Sequence, residues 1–238
     1  QWTQIHANLK YWNSLTKKHQ RDFVYNLKEN NPDKKPLFEF LNSSHNMIYV
    51  TNTEDVPNDV FRGLEVLVCP ASGLSQFKHI ANNIGTMEQV IWVDFSKPQM
   101  DWLQGLIHNW NGINFKQYYE NNKPKDVSLI YEEDKIDEFF NSFSSEQKWL
   151  EAWYKIKELE HRFIIVDITQ SYNDIISIVK PDKVVLLQVS NIWNYEANYF
   201  DSGINVHFAL VDYIHKLLNK SKKLYSVSYT HLRAHETT

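Results

Sequence analysis

Four short runs of nearly unbroken apolar residues constrain this chain more than any other feature. They are "LEVLVCP" (64–70), "QVIWVDF" (89–95), "RFIIVDI" (162–168) and "KVVLLQVSNIW" (183–193). A strand wetted on one face alternates apolar with polar residues; a strand apolar at successive positions is buried on both faces. Helical stretches lie between and after these runs: "SQFKHIANNIG", "KPQMDWLQGLIHNW", "SSEQKWLEAWYKIKELEH", "SYNDIISIVK" and "VHFALVDYIHKLL". Strand–helix alternation of this kind predicts an α/β fold, with a mainly parallel sheet and helices on both faces.

The helices carry their own punctuation. Pro98 stands near a first turn, Ser144 or Ser145 is placed to cap a helix whose Trp149, Trp153, Ile156 and Leu159 share one face, and Gly85 is a candidate stop. Residues 115–134 are less regular, with "VSLIYEE" as a possible strand, and "NMIYVTN" reads as another. Ahead of the α/β region, Trp2, Ile5, Leu9 and Trp12 fall on one helical face. The expected organisation is therefore a helical appendage over 1–45 and an α/β domain over 46–226. Residues 227–238 contain "VSYTHLRAHET", which resembles translated read-through of a transposase-type sequencing adapter. They are expected to be a non-native tail on an environmental sequence from a bacterial or viral host.

Composition narrows the function. A net charge of -4 argues against a surface given over to nucleic acid. Cys69 is the only cysteine, which excludes an internal disulfide and a cysteine-based zinc cluster and fits a cytoplasmic, reducing setting. No apolar run reaches the roughly 20 residues of a membrane span. The sequence holds no Walker loop and no H-E-x-x-H motif.

In a parallel sheet the loops after each strand gather along one carboxyl edge, where ligands bind. Here those positions hold "CPASGLS", Asp94, Asp167 and "QVSNIWNYE". Ala71, Ser72, Gly73 and Ser75 are all small, which permits close approach of backbone to a ligand, and Gly73 alone adopts left-handed geometry cheaply. Asp94 lies about 20 residues beyond Gly73, the spacing of a ribose-binding acid in a nucleotide-binding βαβ unit. Asp94 is equally placed to cap the helix that starts near Lys97.

This layout resembles the class I S-adenosylmethionine-dependent methyltransferases, over about two-thirds of the chain. That family carries an acid-x-G-x-G-x-G frame after its first strand. Ala71 and Ser75 stand at the first and third glycines of that frame, Gly73 keeps the second, and Cys69 replaces the acid. The resemblance implies a Rossmann-like domain that binds S-adenosylmethionine through Cys69, Ala71, Gly73 and Ser75. It further implies Asp94 on the ribose hydroxyls, Phe95 beside the adenine and Asp167 near it. Asn191 and Tyr195 fall where such enzymes place a short catalytic motif, though the stretch lacks the N/D-P-P-Y pattern. The alternatives are a non-catalytic interaction domain of the same fold and a nucleotide or nucleotide-sugar enzyme. The acceptor and the oligomeric state stay open.

Two further features have both a chemical and a structural explanation. Cys69, in a loop before a helix, is either a nucleophile or a buried strand residue. The acids of "YEEDKIDEFF" either bind a cation or form a solvated face.

Overall fold

The computed structural model describes residues 47–51, 61–125, 127–166, 168, 172–188, 205–227 and 235–236. The appendage expected over 1–45 lies outside these residues. So do Asp167, Asn191 and Tyr195.

The elements run β1 (Met47–Tyr49), β2 (Val66–Pro70), α1 (Ser75–Asn82), β3 (Gln89–Asp94), α2 (Lys97–Asn109), α3 (Phe115–Asn122) and β4 (Ser128–Ile130). They continue with α4 (Glu133–Asn141), α5 (Glu146–Glu158), β5 (Glu160–Ile165), α6 (Tyr172–Ile178), β6 (Val184–Gln188), α7 (Asn205–Lys220), β7 (Lys223–Val227) and β8 (His235–Glu236). The main sheet has the order β5-β3-β2-β6-β7-β8. Its first five strands pair in parallel, and the two-residue β8 pairs antiparallel with β7. Counted from β2, the five parallel strands read 3-2-1-4-5, the order of a Rossmann-like sheet. A separate parallel pair joins β1 to β4.

Both faces of the sheet are covered, as the apolar runs require. Leu67, Cys69, Val90, Trp92 and Leu186 point into a core shared with Phe77 and Ile80 of α1, Met100 and Leu103 of α2, and Trp149, Trp153 and Ile156 of α5. Val66, Val68, Ile91, Val93, Val185 and Leu187 point the other way, against Ile175 and Val179 in and beside α6, and Tyr213 and Leu217 of α7. The two-residue side-chain period of a strand sorts the two sets. β2 and β3 are entirely buried but for Asp94, the last residue of β3. No helix among the described residues is long and apolar enough to cross a membrane.

The local signals act largely as the sequence indicates. Ser145 caps α5 by accepting from the Lys148 amide at 3.2 Å, and Pro98 sits in the first turn of α2. α1 stops before Gly85. Asn83 closes it, because its side chain donates to the carbonyls of His79 and Phe61 at 2.9 and 2.8 Å and accepts from the Leu64 amide at 3.1 Å. The stretch after Phe115 is more helical than its pattern suggests. α3 buries only Phe115 and Tyr119, and α4 only Ile136 and Phe139. The acids of "YEEDKIDEFF" thus lie in and beside α4, where Glu133 pairs with Lys116 and Glu138 with Lys135.

The amino edge of the main sheet is a paired ionic network. Lys183 contacts Glu65 at 3.1 Å and Glu88 at 2.6 Å, and Lys180 contacts Glu160 at 2.9 Å. Lys180, helped by Arg162 and Gln89, holds the Glu160 carboxyl down to about 2.

Aromatic packing fixes the helices on the α5 side. Trp149 and Trp153 stack at 5.3 Å, and Trp110 sits 4.8 Å from Trp153. All three indole N–H groups bind carbonyls of one short turn: Trp149 to Gly112 at 2.8 Å, Trp153 to Trp110 at 3.2 Å and Trp110 to Ile113 at 2.8 Å. Gly112 has φ of +88°, and a Cβ placed there would lie 2.5 Å from Trp153 Cδ1. Replacing Gly112 with Ala therefore combines left-handed strain with overpacking and should remove roughly 2–4 kcal/mol. Gly85 has open space around it, and Gly85→Ala should stay within about 0.5 kcal/mol of wild type. Urea unfolding of the two variants checks the contrast.

Candidate functional site

The strand order makes β5, β3, β2 and β6 consecutive neighbours, so their carboxyl ends lie side by side along one edge; of the groups the sequence places there, the loop after β2 and Asp94 are among the described residues. The connection from β2 leads to β3 on one side, and β6 lies on the other. The carboxyl ends of β2 and β6 therefore flank the point where the winding reverses, which is where open α/β sheets hold ligands.

The loop after β2 is built as a tight, buried turn. Gly73 adopts φ of +71°, the left-handed conformation that glycine reaches without penalty. Its amide donates to the Tyr49 carbonyl at 3.0 Å, and the Ala71 amide donates to the Val93 carbonyl at 3.1 Å. Gln99, buried on α2, completes the enclosure. Its Nε2 donates to the carbonyls of Ala71 and Tyr49 at 2.9 and 3.4 Å, and its Oε1 accepts from the Tyr49 amide at 2.7 Å. The backbone amides of residues 71 and 73 are thus bonded to the protein's own carbonyls. Ser75 opens α1, where its hydroxyl donates to Gln76 Oε1 at 3.2 Å, and no side chain caps that helix.

Cys69 points into the core. Its exposure is 2%, and burial pushes the thiol well above its usual range. A thiol held protonated in apolar surroundings is a packing residue rather than a nucleophile.

Asp94 ends β3, on the same side of the sheet as Trp92 and Cys69 by the strand period. It does not cap α2. Ser96 does, accepting from the Gln99 amide at 3.3 Å. Asp94 Oδ1 accepts from the Ser96 amide at 2.9 Å and so shapes the turn that leads into that cap. Burial pushes the Asp94 carboxyl up to about 6, against the lowering effect of the Ser96 and Phe95 amides. No cation counters it among the described residues. Beside it, Phe95 is 47% exposed, a large apolar ring at the mouth of the edge. Ile165, paired opposite Asp94 on β5, is 50% exposed.

One residue at this edge escapes the sequence patterns. Gln188 ends β6 with 1% exposure, and neither its Nε2 nor its Oε1 has a hydrogen-bond partner among the described residues. The available signal is a single amide closing the otherwise apolar "VVLLQ". Gln188 lies on the same side of the sheet as Leu186, and hence as Cys69 and Asp94.

No family model matches the chain, and no curated protein matches it.

A carboxyl whose native value is raised binds its proton more tightly in the folded state. Stability from Asp94 is therefore present at low pH and lost as pH rises from about 4 through about 6. His79 acts in the opposite sense. Its burial holds the imidazole down to about 4, which costs stability as pH falls below the ordinary histidine range. Asp94→Asn keeps an oxygen for the Ser96 amide and removes only the Asp94 titration. The variant should gain on wild type as pH rises from 4 to 7, by on the order of 2 kcal/mol. The His79 slope is common to both proteins and cancels. Urea midpoints at several pH values check this.

Proposed function

We propose that the protein binds S-adenosylmethionine at the carboxyl edge of its sheet and serves as a methyltransferase. Asp94 carries this reading. It is a largely buried carboxylate that meets no cation among the described residues, at the end of the strand next to the central one, with an exposed aromatic ring beside it. Such a group suits the paired hydroxyls of a ribose, which donate two hydrogen bonds to one carboxylate. Phe95 offers a face for the adenine.

The residues fit the nucleoside half of the cofactor better than its amino-acid half. The Ala71 and Gly73 amides are engaged by Val93 and Tyr49, so anchoring is assigned to the ribose rather than to the loop. When bound, S-adenosylmethionine supplies the electrophilic methyl group. The chain's part is alignment and exclusion of water, which is most of what methyl transfer asks of a protein. Asp167, Asn191 and Tyr195 belong to this proposal as the sequence places them, the first near the adenine and the others beside the acceptor.

The closed loop also favours a second reading, a non-catalytic interaction domain of the same fold. There the Tyr49–Gly73–Gln99 contacts would serve as structural closure. A nucleotide-sugar enzyme would use Asp94 in the same way, and a ligand panel separates it.

Thermal unfolding of the full chain with millimolar S-adenosylmethionine or S-adenosylhomocysteine tests the proposal. A ligand at 100 times its Kd adds about 2.7 kcal/mol, and the rise should disappear in Asp94→Ala. Affinity should weaken as pH falls through about 6, where Asp94 takes up its proton. An unmoved midpoint, or a rise that Asp94→Ala keeps, sinks the proposal. A rise with a uridine diphosphate sugar alone supports the nucleotide-sugar alternative.

A further inference from the structure

Gln188 stands out against Gln89 and Gln99, two glutamines buried at the edges of the same sheet, and against Gln76, whose Oε1 accepts from the Ser75 hydroxyl at 3.2 Å. Gln89 is 2% exposed, and its amide is fully used: Nε2 donates to Glu160 Oε1 at 3.1 Å and the Ile178 carbonyl at 3.2 Å, and Oε1 accepts from the Lys180 amide at 3.3 Å. Gln99, also 2% exposed, makes the three bonds of the loop enclosure. Gln188 is buried as deeply and makes none among the described residues. Native structures pair buried polar side-chain atoms with few exceptions, and each exception asks for a reason.

Position supplies the reason. Gln188 is the last residue of β6, beside β2, at the point where the winding reverses. On the matching side of β2 stand Leu67 and Cys69, and on β7 Tyr225 pairs with Leu186. Gln188 falls one step past the Val68–Leu187 pair, level with Cys69 and Trp92, so Asp94 is two strands across and two residues further along, roughly 12 Å away. That separation sets Gln188 apart from the group proposed for the ribose.

We infer that Gln188 is a ligand-recognition residue, whose amide binds a planar group carrying a hydrogen-bond donor and acceptor side by side: a carboxamide or the amino edge of a nucleobase. A primary amide presents one carbonyl acceptor and one pair of donors in a plane, so its natural complement is another edge of that kind. At 1% exposure the amide is already stripped of water. Hydrogen bonds formed there require no further dehydration of the protein, and a ligand lacking either partner leaves a buried group unpaired and is rejected. In the methyl-transfer reading this group belongs to the acceptor, and to that extent the inference rests on that reading. The unpaired amide itself does not.

The test uses the full chain and two apolar variants of similar size, Gln188→Leu and Gln188→Met. Removing an unpaired buried amide should raise the melting temperature of the ligand-free protein by about 2–4 °C. A structurally bonded glutamine would lower it. The probes are nicotinamide and 9-methyladenine at millimolar concentration, with N,N-dimethylnicotinamide and 9-methylpurine as the counterparts that lack the donor. Wild type should be stabilised by nicotinamide or 9-methyladenine and not by its counterpart, and both variants should lose that shift. A lower melting temperature in both variants overturns the inference. So does the absence of any probe shift in wild type, or a shift the variants keep. S-adenosylhomocysteine run alongside reads the cofactor proposal separately, because its shift depends on Asp94 and should persist in both Gln188 variants.

Discussion

One buried amide, that of Gln99, holds the carboxyl edge of this protein in place. It ties α2 to both polar groups of Tyr49 and to the carbonyl of Ala71, and Tyr49 in turn receives the Gly73 amide. β1 belongs to a different sheet from β2. These bonds join the β1–β4 pair to the loop after β2, alongside the packing of Ile48, Val50, Ala71 and Leu74 in one apolar core. The same interaction sets the left-handed turn at Gly73, and the position of α2 fixes the cap at Ser96 and the turn at Asp94. Buried hydrogen bonds of this sort contribute about 1 kcal/mol each, but leaving any partner unpaired costs more.

The two edges of the sheet differ in how they treat polar groups. At the amino edge, Glu65, Glu88 and Glu160 find Lys180, Lys183 and Arg162, and Gln89 is fully bonded. At the carboxyl edge, among the described residues, Asp94 faces no cation and Gln188 has no hydrogen-bond partner. Both face the same side of the sheet. Saturated polar groups hold a fold together; the unsaturated ones at this edge are where the proposals above place their ligands. Phe95 and Ile165 add exposed apolar surface at the same edge.

Much of the fold was legible because burial on both faces writes itself into composition. β2, β3 and β6 announce themselves in this way, and the small residues around Gly73 mark the turn; β5 reads as an equally apolar run, but it is an edge strand and none of its residues is fully buried. α3 and α4 did not, since "FKQYYENN" and "EDKIDEFFN" each bury two side chains and read as polar chain. Asn83, not Gly85, closes α1, because a side chain reaching three backbone groups does more than a flexible residue. Asp94 was visible by its spacing from Gly73; that it does not cap α2 shows only where Ser96 takes the cap. The Gln99 bonds and the isolation of Gln188 could not be read in advance. The first join residues some 50 positions apart in sequence, and the second is a property of what surrounds a side chain.

The central claim is that the carboxyl edge around Gly73 and Asp94 is a nucleoside-binding site. Amide ¹H–¹⁵N spectra of the full chain, titrated with S-adenosylhomocysteine, test it most directly. The account predicts saturable shifts at Gly73, Phe95 and Ser96, with Glu65, Glu88 and Lys183 at the amino edge unmoved. Spectra that stay unchanged to millimolar ligand, or that move only away from the carboxyl edge, would contradict it.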